Sequence, residues 1–143
     1  MTLVKTFLHT CKKYSQKTAV TDHSGAFTYE DLHQESIRCA SRLLSGVTGR
    51  NIGILLPNGK EFVVAFYGTL MAGKTPVPLN YLLSPAQLLY VIRDAGIDTV
   101  FTNNLFSPML GNQIKNTLLT EEKQLGASCN EGNIKQGDEE EQA

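Results

Sequence analysis

An α/β fold built on a partial parallel sheet of β-α-β-α-β type is predicted by three features of residues 51–102. Ile52 to Leu56 is a continuous apolar run, the pattern of a strand buried on both faces. Phe62, Val63, Val64, Ala65, Phe66, Leu70 and Met71 follow within one helical length and leave little polar surface, so that helix should be deeply covered. A second helix-then-strand round, Ser84 to Thr102, repeats the alternation, and alternating elements of this kind solve their burial problem as a parallel sheet with right-handed crossovers. An N-terminal helix and a small β-hairpin are expected before this unit, and a disordered C-terminal tail after it.

Each element has a local cause. Val4, Phe7, Leu8 and Cys11 form an apolar stripe at helical spacing, with Lys5, His9, Lys12 and Lys13 elsewhere on the turn. Ala19 to Asp22 and Ala26 to Thr28, joined across His23-Ser24-Gly25, read as the hairpin. Thr28 caps the next helix with Asp31 three positions on; Leu32, Cys39, Ala40 and Leu43 supply its buried stripe, and Ser45-Gly46 ends it. After the first sheet strand, Pro57-Asn58-Gly59 breaks the chain. Asn58 reads as an N-cap with Glu61 three residues on, and the helix runs from about Lys60 to Ala72 before Gly73 closes it. Pro76 and Pro78 in the strand Thr75 to Leu79 point to a sheet edge. Ser84-Pro85-Ala86-Gln87 is a helix start with proline at the first position and a capping box. Leu88, Val91, Ile92 and Ala95 form its stripe, Gly96 stops it, and Thr99 to Thr102 is the third strand.

Gly68 to Thr75 (GTLMAGKT) satisfies the phosphate-loop pattern, yet the order of elements is wrong for it. A phosphate loop follows a strand and opens a helix, so that backbone N–H groups and the positive helix end meet the anion. Here a helix precedes Gly73, and prolines after Lys74 bar another. The segment is therefore expected to be a helix C-terminus followed by a strand, with Lys74 interacting with the negative end of the helix.

The 143 residues suffice for one domain, and no apolar run approaches the roughly 20 residues needed to span a membrane. Net charge is −1, but from Glu121 onward seven acidic residues face two basic ones, leaving the preceding part mildly basic. Without a basic run or aromatic stacking pattern, that part is a poor nucleic-acid candidate. Cys11, Cys39 and Cys129 are odd in number and lack C-x-x-C spacing, which argues against a disulfide framework or a zinc site. His9, His23 and His33 include no pair at ligand spacing. The cysteines fit a reducing, cytoplasmic compartment; a mitochondrial presequence or a membrane-surface helix stays open for the cationic start.

Two segments carry a resemblance. Phe27-Thr28-Tyr29-Glu30-Asp31-Leu32 resembles the early "L-T-Y-x-E-L" motif of the adenylate-forming (AMP-binding) superfamily. Leu70-Met71-Ala72-Gly73-Lys74-Thr75-Pro76-Val77-Pro78-Leu79-Asn80 is similar to its second, "L-x-A-G-x-x-x-V-P-L-[DN]", and Ile52 to Asn58 looks like the strand between them. The likeness covers roughly Leu3 to Thr102. It implies an acyl-CoA synthetase-like enzyme that activates a carboxylate with ATP to an acyl adenylate and passes the acyl group to a thiol such as coenzyme A, with Mg also used by the intact family. Asn80, where peptide-synthetase adenylation domains often have aspartate, leans toward the acyl-CoA synthetases.

The family's Ser/Thr/Gly-rich loop ending in Pro-Lys-Gly is not found among these residues, nor is the catalytic lysine of its C-terminal domain. The matched motifs carry no catalytic side chain, so the resemblance assigns no catalytic, cofactor-binding or metal-binding residue here. Residues 1–106 are expected to be the N-terminal portion of an AMP-binding domain, and 107–143 a weakly structured to disordered acidic tail, with Ile114 to Leu119 able to form a short helix. The expected product is a truncated ligase, inactive alone and binding no cofactor. Its alternatives are a non-catalytic module that binds a full-length relative through an open sheet edge, and half of a split ligase completed by a complementary fragment.

Overall fold

The computed structural model describes residues 2–120. Helix α1 (Leu3–Lys13) starts at Thr2, whose hydroxyl accepts the Lys5 N–H at 3.2 Å, and buries Val4, Phe7 and Cys11. Strands β1 (Thr18–Asp22) and β2 (Gly25–Thr28) pair antiparallel as the hairpin. Thr28 then opens α2 (Tyr29–Leu44) with a complete capping box. Its hydroxyl accepts the Asp31 N–H at 3.1 Å while the Asp31 carboxylate accepts the Thr28 N–H at 2.9 Å.

The sheet has four parallel strands in the order β4-β3-β5-β6: β3 (Asn51–Ile54), β4 (Thr75–Pro78), β5 (Thr99–Thr102) and β6 (Asn116–Leu119). Helix α3 (Lys60–Met71) joins β3 to β4, and α4 (Pro85–Asp94) joins β4 to β5. The two prolines put β4 at the edge, where missing N–H donors leave no partner unsatisfied. Helix α4 carries the Ser84–Gln87 capping box with Pro85 at its first position. Its buried stripe is narrower than the spacing predicts: Leu88 and Ile92 are buried, whereas Val91 faces solvent.

Helices cover both faces of the sheet. On one, Ile37, Ala40 and Leu43 of α2 and Ala65 and Met71 of α3 pack with Ile52, Ile54 and Phe101. On the other, Leu88 and Ile92 of α4 pack with Val100, Leu55, Leu79 and Leu110. Alternation along β5 sends Val100 and Phe101 into different cores, so the strand is buried on both faces. Helix α1 lies against α2 and α3, its Phe7 ring stacked on Tyr67 at 3.9 Å. No residue of α3 is exposed, as its apolar composition requires, although several of its side chains are only half-buried.

Two expectations are corrected. Asn58 does not cap α3; the cap position is Gly59, which has no side chain to use. The cap comes instead from the hairpin: the Asp22 carboxylate accepts the Lys60 N–H at 2.9 Å. Gly59 stands at φ 155, a conformation that favours glycine, and a Cβ there would lie 2.9 Å from the same carboxylate. Residues 114–119 give no helix, because a segment this short cannot pay for helix nucleation while the open edge of β5 offers ready backbone partners. The sheet therefore extends beyond Phe106, through a short 3-10 helix (Ser107–Leu110) with Leu110 buried, to Leu119. The disorder expected from about Lys123 lies outside the described residues.

Helices α2 and α3 approach closely at Gly68, where the Cys39 side chain of α2 meets the bare backbone of α3. A Cβ there would stand 2.5 Å from the Cys39 sulfur and 2.6 Å from the Cys39 Cβ. Gly68→Ala is expected to lower stability by about 1–3 kcal/mol in urea unfolding, since both helix backbones must separate. Three hydrogen bonds, from the Lys60 N–H and from the Ser24 hydroxyl and N–H, hold the Asp22 carboxyl down at about 2. Its folded value is below the ordinary one of 3.8, so its contribution is complete above that value and lost as pH falls toward 2. Asp22→Ala should therefore be less stable than the parent at neutral pH, with the gap closing at about pH 2 in acid-unfolding curves.

Candidate functional site

The phosphate-loop-like segment is placed as its order of elements demands. Gly68 to Met71 belong to α3, and Gly73, at φ 73, turns the chain out of the helix. The N–H groups of Gly73 and Lys74 donate to the carbonyls of Leu70 and Thr69, closing the helix end. Those donors are spent inside the protein and do not converge on an anion. The Lys74 side chain corrects one expectation: its ammonium donates to the Gly49 carbonyl at 2.7 Å, before β3, and not to the end of α3.

A cavity of about 470 Å³ lies between α2 and α3 beside the carboxyl ends of β5 and β6. Its apolar wall is Cys39, Val64, Ala65 and Phe101. Its polar rim is Glu35, Arg38, Arg42, Lys60, Glu61 and Thr120, and all but Arg38 make the contacts that follow. Lys60 pairs with Glu35 at 3.0 Å and sits 4.5 Å above the Phe27 ring. Arg42 donates to the Leu119 carbonyl at 2.9 Å, and the Thr120 hydroxyl donates to Glu61 at 3.0 Å. These two bonds fasten the end of β6 to α2 and α3 across 77 and 59 residues of chain. Sequence reasoning missed this seam because its partners lie far apart in the chain and belong to no motif.

The two thiols among the described residues are held protonated. Burial pushes Cys39 up to about 12 and, with the Glu30 carboxylate nearby, Cys11 up to about 11, so neither is a thiolate at neutral pH. Among the described residues no group of three or more His, Cys, Asp or Glu could hold a metal ion. His9 lies on α1, His23 in the hairpin turn and His33 on α2.

A parallel sheet with helices on both faces, whose strand order reverses direction between β3 and β5, is the doubly covered α/β class. Within that class the chain belongs to the AMP-binding enzyme family, whose model matches residues 7–142. It is 28% identical over 109 residues to a long-chain-fatty-acid–CoA ligase of Bacillus subtilis (strain 168), a match covering 75% of this chain and 20% of that enzyme. It is 28% identical over 102 residues to a benzoate–CoA ligase of Thauera aromatica, covering 66% of this chain and 19% of the relative. Among solved structures it resembles a benzoate CoA ligase from Burkholderia xenovorans LB400, with TM-score 0.75, 26% identity, and coverage of 82% of this chain and 25% of that one. The chain therefore spans about a fifth of the length of the curated ligases it matches.

Both motifs that carry the likeness serve structure here. Thr28 and Asp31 form the capping box of α2, Gly73 ends α3, and Pro76 and Pro78 line the sheet edge. Lys74→Ala is expected to cost about 1 kcal/mol through the lost bond to Gly49 and to leave ATP binding as it is in the parent chain. Thermal unfolding and equilibrium dialysis with labelled ATP check the two halves separately. A loss of ATP binding with unchanged stability would restore the phosphate-loop reading.

Proposed function

We propose that these residues are the amino-terminal part of an ATP-dependent acid–thiol ligase of the acyl-CoA synthetase type, working in a reducing, cytoplasmic setting. In the intact enzyme a carboxylate oxygen attacks the α-phosphorus of ATP and pyrophosphate leaves; the thiol of coenzyme A then attacks the acyl carbon and AMP leaves, with Mg and ATP held by residues outside those described. Fatty or aromatic acids are the proposed substrate class, on the strength of the relatives' names. The observation carrying the proposal is the family match over residues 7–142.

The 143 residues alone are proposed to be inactive. Adenylation needs oriented donors where phosphate charge develops, and the Gly-rich segment that mimics such a loop spends its donors on a helix end. A second reading is favoured by the outer edge of β6, which has no strand partner among the described residues. A complementary ligase fragment or a full-length relative would add a strand there.

Purified chain should give no pyrophosphate exchange above background with benzoate or a long-chain fatty acid. Exchange that appears only on mixing with a polypeptide supplying the rest of a ligase establishes the complementation reading. Exchange by the chain alone would overturn the proposed inactivity.

A further inference from the structure

We propose that the C-terminal end of α1, with the turn that follows it, is a docking surface for an anionic lipid bilayer, bound peripherally through Lys12, Lys13 and Lys17 around Tyr14. The apolar side of α1 is already committed: Val4, Phe7 and Cys11 are buried, and Phe7 stacks on Tyr67 of α3. The helix therefore has no second apolar face with which to span or sink into a membrane, and its solvent side alone can meet one. Among the described residues no helix is long and apolar enough to cross a bilayer.

That solvent side carries one sign of charge. Lys12, Lys13 and Lys17 are exposed, and no acidic residue occurs before Asp22. The ammoniums of Lys13 and Lys17 stand 5.2 and 4.9 Å from the centre of one ring, that of Tyr14, so two like charges are gathered at one spot. The nearest carboxylate in sequence after Asp22 is that of Glu30, whose backbone N–H bonds the Ser15 carbonyl; its oxygen already accepts the Gln34 amide at 2.9 Å. An opposing anionic surface relieves this crowding, and the last turn of α1, with its negative helix end, keeps Lys12 and Lys13 in place.

One further residue favours lipid over other polyanions. Tyr14 is 38% exposed among the lysines, and an amphipathic ring beside ammoniums suits the headgroup region.

The test is co-sedimentation of the full chain with vesicles of phosphatidylcholine alone and of phosphatidylcholine with one quarter phosphatidylserine. Three lysines at the surface predict partition on the order of a hundredfold stronger onto the anionic vesicles at low salt, weakening as ionic strength rises. The combined variant Lys12→Glu, Lys13→Glu, Lys17→Glu should lose this preference while keeping its circular dichroism spectrum. Arginine at all three positions should retain it, and Lys115→Glu, an exposed lysine just before β6, should leave it unchanged. Equal binding to both vesicle types, or full binding by the triple reversal, would overturn the proposal. So would tighter binding to a single-stranded oligonucleotide than to the anionic vesicles at equal phosphate concentration.

Discussion

The approach of α2 to α3 at Gly68 is the constraint on which the rest of this structure depends. Without a Cβ at that position, Cys39 of α2 rests directly on the backbone of α3, and the two helices form one layer on the sheet. That layer presents Ile37, Ala40, Leu43, Ala65 and Met71 together to Ile52, Ile54 and Phe101. A larger residue at 68 would lift one helix and open the core beneath both. The closeness has a cost, for the Ser36 hydroxyl is fully buried on the same stretch of α2 and finds no hydrogen-bond partner among the described residues. An unmet buried hydroxyl typically costs about 1–3 kcal/mol, tolerable only where packing around it is dense.

The hairpin gains its purpose from the same pair of helices. It contributes little to the sheet, to which it is not bonded, yet Asp22 closes the N-terminus of α3 and Lys60 reaches back over Phe27. A helix that begins with glycine has no cap of its own, so its first turn is borrowed from β1 across 38 residues. The negative carboxylate also complements the positive end of the helix.

These relations separate what the residues disclose locally from what they do not. Both capping boxes, the apolar stripe of α1, the edge position of the proline strand and the helix stop at Gly73 are decided within a turn or two of chain, and they were legible. The rejection of a phosphate loop also rested on local order, and the hydrogen bonds of Gly73 and Lys74 agree with it. The cap of α3 was misassigned to Asn58 because the true partner is distant. The strand at 116–119 was misread because four residues with two leucines carry no period of their own, and the edge of β5 decides their state. Val91 looked like core because an apolar residue at helical spacing does not reveal how wide the covered stripe is. The cavity and its seam were invisible for the same reason as the cap: Arg42 with Leu119 and Glu61 with Thr120 are contacts of the fold.

The positions of the shared motifs also bear on what this part of a ligase can specify. Two relatives named for chemically different acids, a long-chain fatty acid and benzoate, match at the same 28% identity. If these residues built the acyl pocket, an aliphatic chain and an aromatic ring would demand different side chains along its wall. The motif positions described above instead hold caps, a helix end and a sheet edge, which any acid's ligase can keep. At these positions the motifs serve as scaffold for a doubly covered sheet.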